Sequence, residues 1–270
     1  FIRPRRFGKS LTISMLEHYY DINKKDKFEQ LFGGLYIGKN PTPERNCYLI
    51  VHLNFSMVAT GIDDYQKGLD SHCNIMFNHC CSVYSHLLPP DTKAEMNKKE
   101  GAIEQLAILC QKASETGQKI YLFIDEYDNF TNMILANEEH LMRYRKQTHG
   151  EGYLRRFFNT IKGFADGALG RVFVTGVSPV TMDDLTSGFN IGTNYSLNPR
   201  FNEMTGFTEE EVRDMLGYYA SVLPFNHTVD ELILKMKPWY DNYCFAEEVY
   251  GKTTMYNSVM VLYFLDNYIN

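Results

Sequence analysis

Gly8-Lys9-Ser10 opens an apolar run, Leu11-Thr12-Ile13-Ser14-Met15-Leu16, and these residue types in this order suit phosphate chemistry. In a phosphate-binding loop a glycine lets the backbone approach phosphate, a lysine reaches the terminal phosphates, and a serine hydroxyl coordinates Mg²⁺. The helix that follows points its free N–H groups at the anion. The pattern G-x-x-x-x-G-K-[ST] is incomplete, because Arg3 stands where the first glycine would fall. Arg5 and Arg6 replace the small residues usual in such a loop. Guanidinium groups clamp phosphate oxygens bidentately, so one of these two is read as a phosphate contact; the alternative is a solvated charge.

A second group of reactive residues lies far along the chain. The apolar, β-rich run Ile120-Tyr121-Leu122-Phe123-Ile124 ends in Asp125-Glu126. A strand ending this way presents both carboxylates at its C-terminal edge, where ligands sit in open α/β sheets. Asp125 is assigned to the Mg²⁺ shell and Glu126 to the attacking water as general base. The competing reading is a solvated acidic turn. Thr175 and Ser178 close a third apolar run and are candidates to contact the γ-phosphate or the lytic water, or else to cap the turn before Pro179. Asn54 is a weaker candidate of the same kind, with a structural turn as its alternative. Arg200 is read either as a γ-phosphate sensor or as a partner of the acids of the next helix. Asp128 is read as a helix N-cap, with support of the neighbouring acidic pair as its alternative. His72, His79 and His86 recur every seven residues and form a polar stripe; a rise of about 10.5 Å over seven helical residues keeps any two of them off one metal.

These residues need a scaffold, and the pattern supplies one. Leu11 to Tyr20 continues as a helix. Cys47–Phe55, Lys119–Ile124 and Arg171–Gly176 read as buried strands. Helices are expected over Asp63–Leu88, over Thr92–Thr116 with Gly117 as its stop, and over Glu151–Ala165. Strands and helices alternating at this spacing predict a parallel sheet. After about Asn198 the character changes to short helices: Thr208–Leu216, with Thr208 and Glu211 forming a capping box, Val229–Lys237 and Asn257–Tyr268, with an aromatic, loop-like stretch over Trp239–Tyr250. The expected architecture is an α/β P-loop NTPase fold, a parallel sheet flanked by helices over residues 1–197, with a C-terminal helical lid over 198–270.

Composition bounds the rest. The 270 residues are 44% hydrophobic with a net charge of -6, which argues for a cored protein and against broad nonspecific nucleic-acid binding. Six cysteines lack C-x-x-C spacing, so neither a disulfide framework nor a zinc site is suggested, and they read as reduced thiols of a cytoplasmic protein. No apolar run approaches a membrane span. The chain begins at Phe1, inside the loop motif, so a fragment of a longer protein is expected.

Taken together, Arg3-Pro4-Arg5-Arg6-Phe7-Gly8-Lys9-Ser10, Ile124-Asp125-Glu126-Tyr127-Asp128, Thr175-Gly176-Val177-Ser178-Pro179, Gly206-Phe207-Thr208-Glu209-Glu210-Glu211-Val212, Tyr240-Asp241-Asn242-Tyr243-Cys244-Phe245 and Tyr256-Asn257-Ser258 resemble the AAA-ATPase-like family of bacterial P-loop proteins, near the STAND and archaeal-type ATPases. The missing first glycine is part of the resemblance. It implies ATP and Mg²⁺ as ligands, with Arg5, Arg6, Phe7, Gly8, Lys9, Ser10 and Leu11 at the nucleotide and Ser10 and Asp125 at the metal. It implies phosphate binding by Lys9 and service to the water by Glu126; together with Thr175 and Ser178, read above from the third strand, these are the expected catalytic residues. Members are often followed by a nuclease-like domain of the PD-(D/E)xK type, so an effector domain outside this sequence is the expected partner. No Glu-x-Lys tripeptide occurs here, and the Asp91-Thr92-Lys93 triplet follows Pro89-Pro90 in a connection, so nuclease activity is not expected of this chain. ATP hydrolysis that drives a conformational switch is the expected function; an ATP-gated interaction module or a scaffold that barely hydrolyses ATP is the alternative.

Overall fold

The computed structural model describes residues 1–58, 65–129, 152–165, 167–178 and 192–269. Asp63, Glu151 and Pro179, invoked above as helix starts and a turn residue, lie outside the described residues. The chain divides into two compact units: one joins Phe1–Thr12 to Thr193–Asn270, and the other is Ile13–Gly192. The boundary after Thr12 falls within the first helix, α1 (Lys9–Tyr20).

The Ile13–Gly192 unit is built on a parallel sheet of three strands in the order β1 (Tyr48–Asn54), β2 (Lys119–Asp125) and β3 (Leu169–Val174). Asn54 pairs with Asp125 at the C-terminal end of β1 and β2, and Ile124 pairs with Val174. Successive side chains on a strand point to opposite faces. Tyr48, Tyr121 and Phe123 point to one face, where they pack with Ile13 and the partly buried Leu16 and Tyr20 of α1. The alternate residues Leu49, Val51, Leu53, Ile120, Leu122 and Ile124 are all at most 1% exposed. The central strand β2 is buried on both faces, which explains its near-continuous apolar run, while β1 is half-buried along one face and β3 over most of its length.

Helices fill the connections. The short α2 (Phe28–Phe32) and α3 (Tyr36–Lys39) precede β1. Between β1 and β2 run α4 (Tyr65–Val83), α5 (Thr92–Met96) and α6 (Ala102–Glu115); α4 packs on β1 and α6, and α6 packs on β2. The single helix expected over Thr92–Thr116 is two. Gly101 sits in extended backbone at the N-cap of α6, and Gln105 Nε2 folds back onto the Lys99 carbonyl at 2.7 Å. The α6 cap is completed from α4: Asp70 accepts the Ala102 N–H at 2.7 Å and also the hydroxyl of Tyr153, the first residue of α7 (Tyr153–Phe164). One carboxylate thus ties three helices together.

The histidine stripe is not uniform. His79 and His86 are exposed, whereas His72 is buried and its Nε2 accepts the Asn54 N–H at 3.2 Å, at the end of β1. Asn54 takes the turn role, accepting from the backbone and hydroxyl of Ser56 at 2.9 and 2.7 Å. All six cysteines are free thiols, four of them buried.

In the other unit, α8 (Glu209–Val222), α9 (Val229–Tyr240) and α10 (Ser258–Ile269) share a core of Val212, Leu216, Leu232, Ile233, Met236, Tyr256, Val261 and Leu265. Both α8 and α9 begin with complete capping boxes, Thr208 with Glu211 and Thr228 with Glu231. α9 runs on through Pro238 to Tyr240, so Trp239 and Tyr240 belong to a helix rather than to the expected loop. Glu209 pairs with Arg213 at 2.9 Å and Lys237 at 2.8 Å, and the Arg200 side chain is exposed. No helix among the described residues is long and apolar enough to cross a membrane.

Candidate functional site

The glycine of the loop motif has the conformation that the motif requires. Gly8 stands at φ +84°, Arg6 precedes it at +70°, and α1 begins at Lys9, with the Gly8 carbonyl accepting the first helical hydrogen bond from Thr12 at 2.9 Å. Left-handed backbone is costless for glycine and costs a residue with a Cβ about 1–2 kcal/mol, so the Arg6 turn must be held from outside. A Cβ added at Gly8 would meet only Ser258 Oγ, at 3.8 Å, which leaves the backbone open to close approach. Lys9 Nζ donates to the carbonyls of Arg3 and Pro4 at 3.0 and 3.1 Å, folding the ammonium across the loop it belongs to. Ser10, Leu11, Arg5 and Arg6 are exposed.

Arg3 has a structural task. It is 1% exposed and donates to the carbonyls of Ile2, Ser196 and Phe201 at 2.8, 2.7 and 2.6 Å. Its guanidinium lies over the rings of Phe1 and Phe245, 4.3 and 4.0 Å from their centroids. Burial lowers its pKa to about 10, which leaves it charged at neutral pH. Phe7 is also buried, edge-on to Tyr243 and Phe245 with centroids 4.7 and 5.4 Å away, so any contact of Phe7 with a ligand would come from its main chain.

The acidic strand end belongs to the Ile13–Gly192 unit. Asp125, the last residue of β2, is fully buried, and its Oδ1 accepts from the Thr175 hydroxyl and, at 2.9 Å, from the Glu126 N–H. Thr175 follows β3, and its N–H donates to the Ile124 carbonyl at 2.8 Å. Glu126 has φ +51° and is partly exposed. The chain there leaves the strand by a left-handed step. Asp128 accepts the N–H groups of Val177 (3.0 Å) and Ser178 (2.6 Å), and Tyr127 donates its hydroxyl to the Ser178 carbonyl at 2.5 Å. Asp128 therefore fastens the segment after β3 to the turn after β2, a role the N-cap reading missed. A Cβ at Gly176 would meet Tyr127 at 2.4 Å and Asp128 Oδ1 at 2.6 Å.

The structure thus brings together Asp125, Glu126, Thr175 and Ser178 in one unit, and Arg5, Arg6, Phe7, Gly8, Lys9, Ser10 and Leu11 in the other. Sequence reasoning did not find Asn257 and Ser258. Asn257 Nδ2 donates to the Arg5 carbonyl at 3.2 Å, and Ser258 Oγ to the Arg6 carbonyl at 3.1 Å. Both stand in a segment singled out by motif, but their targets lie about 250 positions away, beyond any local pattern.

A family profile described as "Predicted AAA-ATPase" matches residues 1–186, more than half of the chain. The chain belongs to this AAA-ATPase-like family. The family match covers the loop motif and the acidic strand end, and it stops before the C-terminal helices. A curated relative, an uncharacterized protein encoded in the vnfD 5′ region of Azotobacter chroococcum mcd 1, is 25% identical over 249 residues. That alignment takes in 91% of this chain and 42% of the relative, so the chain spans less than half the relative's length. No solved structure matches the chain.

An open glycine and the lysine after it, at the N-terminus of a helix, are the residue types that a phosphate-binding loop uses. Among the described residues no three His, Cys, Asp or Glu side chains cluster as a metal cage. Mg²⁺ does not need one: it is commonly held by one or two protein oxygens, phosphates and waters.

Proposed function

We propose that this chain binds ATP with Mg²⁺ and hydrolyses it. The observation that carries the reading is the left-handed turn at Gly8 running straight into helix α1, with the Lys9 ammonium folded over the loop carbonyls. An arriving phosphate offers that ammonium a stronger, charged acceptor than two amide oxygens. The backbone from Arg5 to Leu11 cradles the phosphates, and Arg5 or Arg6, both at the surface, adds a guanidinium contact. Ser10 and Asp125 would hold Mg²⁺, directly or through water, and the ion would neutralise charge on the phosphate oxygens.

Glu126 orients the attacking water and takes its proton. Thr175 keeps Asp125 in a single orientation by donating to its Oδ1, and Ser178 reports on the γ-phosphate. In this reading residues 1–197 act as the ATPase core and 198–270 as a lid whose movement is read by an effector elsewhere in the intact protein, such as the nuclease-like domain that often follows in members of the family. A cytoplasmic setting is the natural one for ATP and for six reduced thiols.

The test is ATP affinity and turnover of the intact protein carrying Lys9→Ala or Glu126→Gln. Lys9→Ala is expected to abolish both. Glu126→Gln is expected to keep affinity and lose about 10²–10⁴-fold in turnover, the usual worth of a general base. Turnover unchanged in Glu126→Gln removes that residue from the mechanism, and wild-type protein that binds no ATP at millimolar concentration overturns the reading.

A further inference from the structure

The phosphate loop of this chain lacks its first glycine, and its Arg6 adopts a backbone conformation that arginine disfavours. Something other than the loop's own sequence has to fix its shape. The support comes from the start of α10. Asn257 Nδ2 donates to the Arg5 carbonyl at 3.2 Å. The Arg6 carbonyl accepts twice, from Ser258 Oγ at 3.1 Å and from the Val259 N–H at 3.3 Å. That N–H is one of the donors that a helix start leaves without an intrahelical partner. Asn257 uses its other end on the helix itself, its Oδ1 accepting the Met260 N–H at 3.3 Å. One side chain therefore caps α10 and grips the loop.

The same segment is locked laterally. Phe207 and Tyr256 exchange backbone hydrogen bonds of 3.0 and 2.7 Å, and Asn257 N–H donates to the Tyr240 carbonyl at 2.8 Å. Phe7 fits between Tyr243, Phe245 and Gly206, where a Cβ on Gly206 would come within 3.0 Å of the Phe7 ring. The carbonyls of two consecutive loop residues and the ring of the next are all held by residues 206–259.

We propose that Asn257 and Ser258 are positioning residues of the phosphate loop: they hold the Arg5–Gly8 backbone in its binding shape, in place of the missing glycine, and make the start of α10 part of the ATP site. The claim about the loop's shape stands on these contacts alone; its service to ATP rests on the function proposed above. The two residues lie outside the 1–186 family match. A consequence is that the loop cannot change shape on binding or releasing phosphate without pulling on α10.

The test compares Asn257→Asp, Ser258→Ala and Ser258→Thr in the intact protein. Aspartate is as good a helix cap as asparagine and favours a helix N-terminus, but it has no hydrogen to give the Arg5 carbonyl. A purely capping role for Asn257 therefore predicts no effect. We expect backbone amides of residues 5–9 to exchange hydrogen about tenfold faster, without nucleotide, in Asn257→Asp and Ser258→Ala, and Ser258→Thr to match wild type, as loss or retention of one hydrogen bond implies. We expect ATP to bind about tenfold more weakly to the first two, with melting temperatures of the nucleotide-free proteins unchanged. Unchanged exchange in both variants overturns the proposal. Faster exchange with unchanged ATP affinity overturns the link to binding. If the wild type binds no ATP at all, the exchange measurement still decides the clamp, and only the ATPase reading falls.

Discussion

Thr175 donates its hydroxyl hydrogen to Asp125 across the ends of neighbouring strands, and both side chains are completely buried. The Glu126 N–H donates to the same Oδ1, so both bonds hold the rotation of the carboxylate. With Asp125 as the proposed Mg²⁺ ligand, a residue that orients it typically changes metal affinity or activity by about 10–100-fold when removed. Thr175→Ala is expected to lower turnover within that range while ATP affinity stays within about threefold, and Thr175→Ser to restore most of it. Steady-state ATPase kinetics with a Mg²⁺ titration checks this; equal turnover in the alanine variant would reduce Thr175 to a structural residue.

Gly206 has φ +88°, and a Cβ there would sit 2.8 Å from the Tyr256 carbonyl and 3.0 Å from the Phe7 ring. Gly206→Ala combines backbone strain with overpacking, each worth about 1–3 kcal/mol. A urea melt should show a lower midpoint with the slope unchanged. A variant as stable as wild type would mean that the Phe7 and Tyr256 contacts yield freely.

His72 gives the fold a pH dependence of known sign. Burial, and next the charge of His52, lower its pKa below the ordinary 6.5. Between that lower value and 6.5 the unfolded chain binds more protons than the folded one, so stability falls as pH drops through this window. Protonation also removes the acceptor used by the Asn54 N–H. His72→Gln keeps an acceptor without titrating. Its melting temperature should fall less than that of wild type between pH 7.5 and 5.5, and parallel curves would count against His72 as the cause.

The two capping boxes should each matter. Thr208→Ala and Thr228→Ala are expected to cost about 1 kcal/mol apiece, additively, since they serve different helices. The glutamates of this unit also set an acid limit. Hydrogen bonds from Lys237 and then Arg213 depress the Glu209 pKa, and the backbone of Thr228 chiefly depresses that of Glu231. A depressed carboxylate stabilises the fold above its unfolded pKa, near 4.5, and that contribution is lost as pH falls through the lower folded value. Chemical denaturation at pH 7 and pH 3.5 should show a smaller acid loss in Glu209→Gln than in wild type.

Much of this could be read from the chain itself. Largely buried strands advertise themselves as near-continuous apolar runs, so Tyr48–Asn54 and Lys119–Asp125 were found within a residue or two. Thr208 with Glu211 is a local signal and appeared where expected. The break at Gly101 was hidden, because the interaction that caps α6 comes from Asp70, on another helix. The helix expected over Val229–Lys237 runs on through Pro238 to Tyr240. Arg3 was visible only as the residue at the place of the missing glycine, and two of its partners are carbonyls nearly 200 positions away. Asn257 and Ser258 were visible as a motif but mute as to purpose, since nothing local encodes a bond to the other end of the chain.

The backbone at Glu126, with φ +51°, sets a trade-off for anyone seeking a hardier protein. Glycine would relax that left-handed step by about 1–2 kcal/mol. Screens for thermal tolerance should therefore drift toward Glu126→Gly, and by doing so would enrich for molecules that have discarded the carboxylate proposed to activate water.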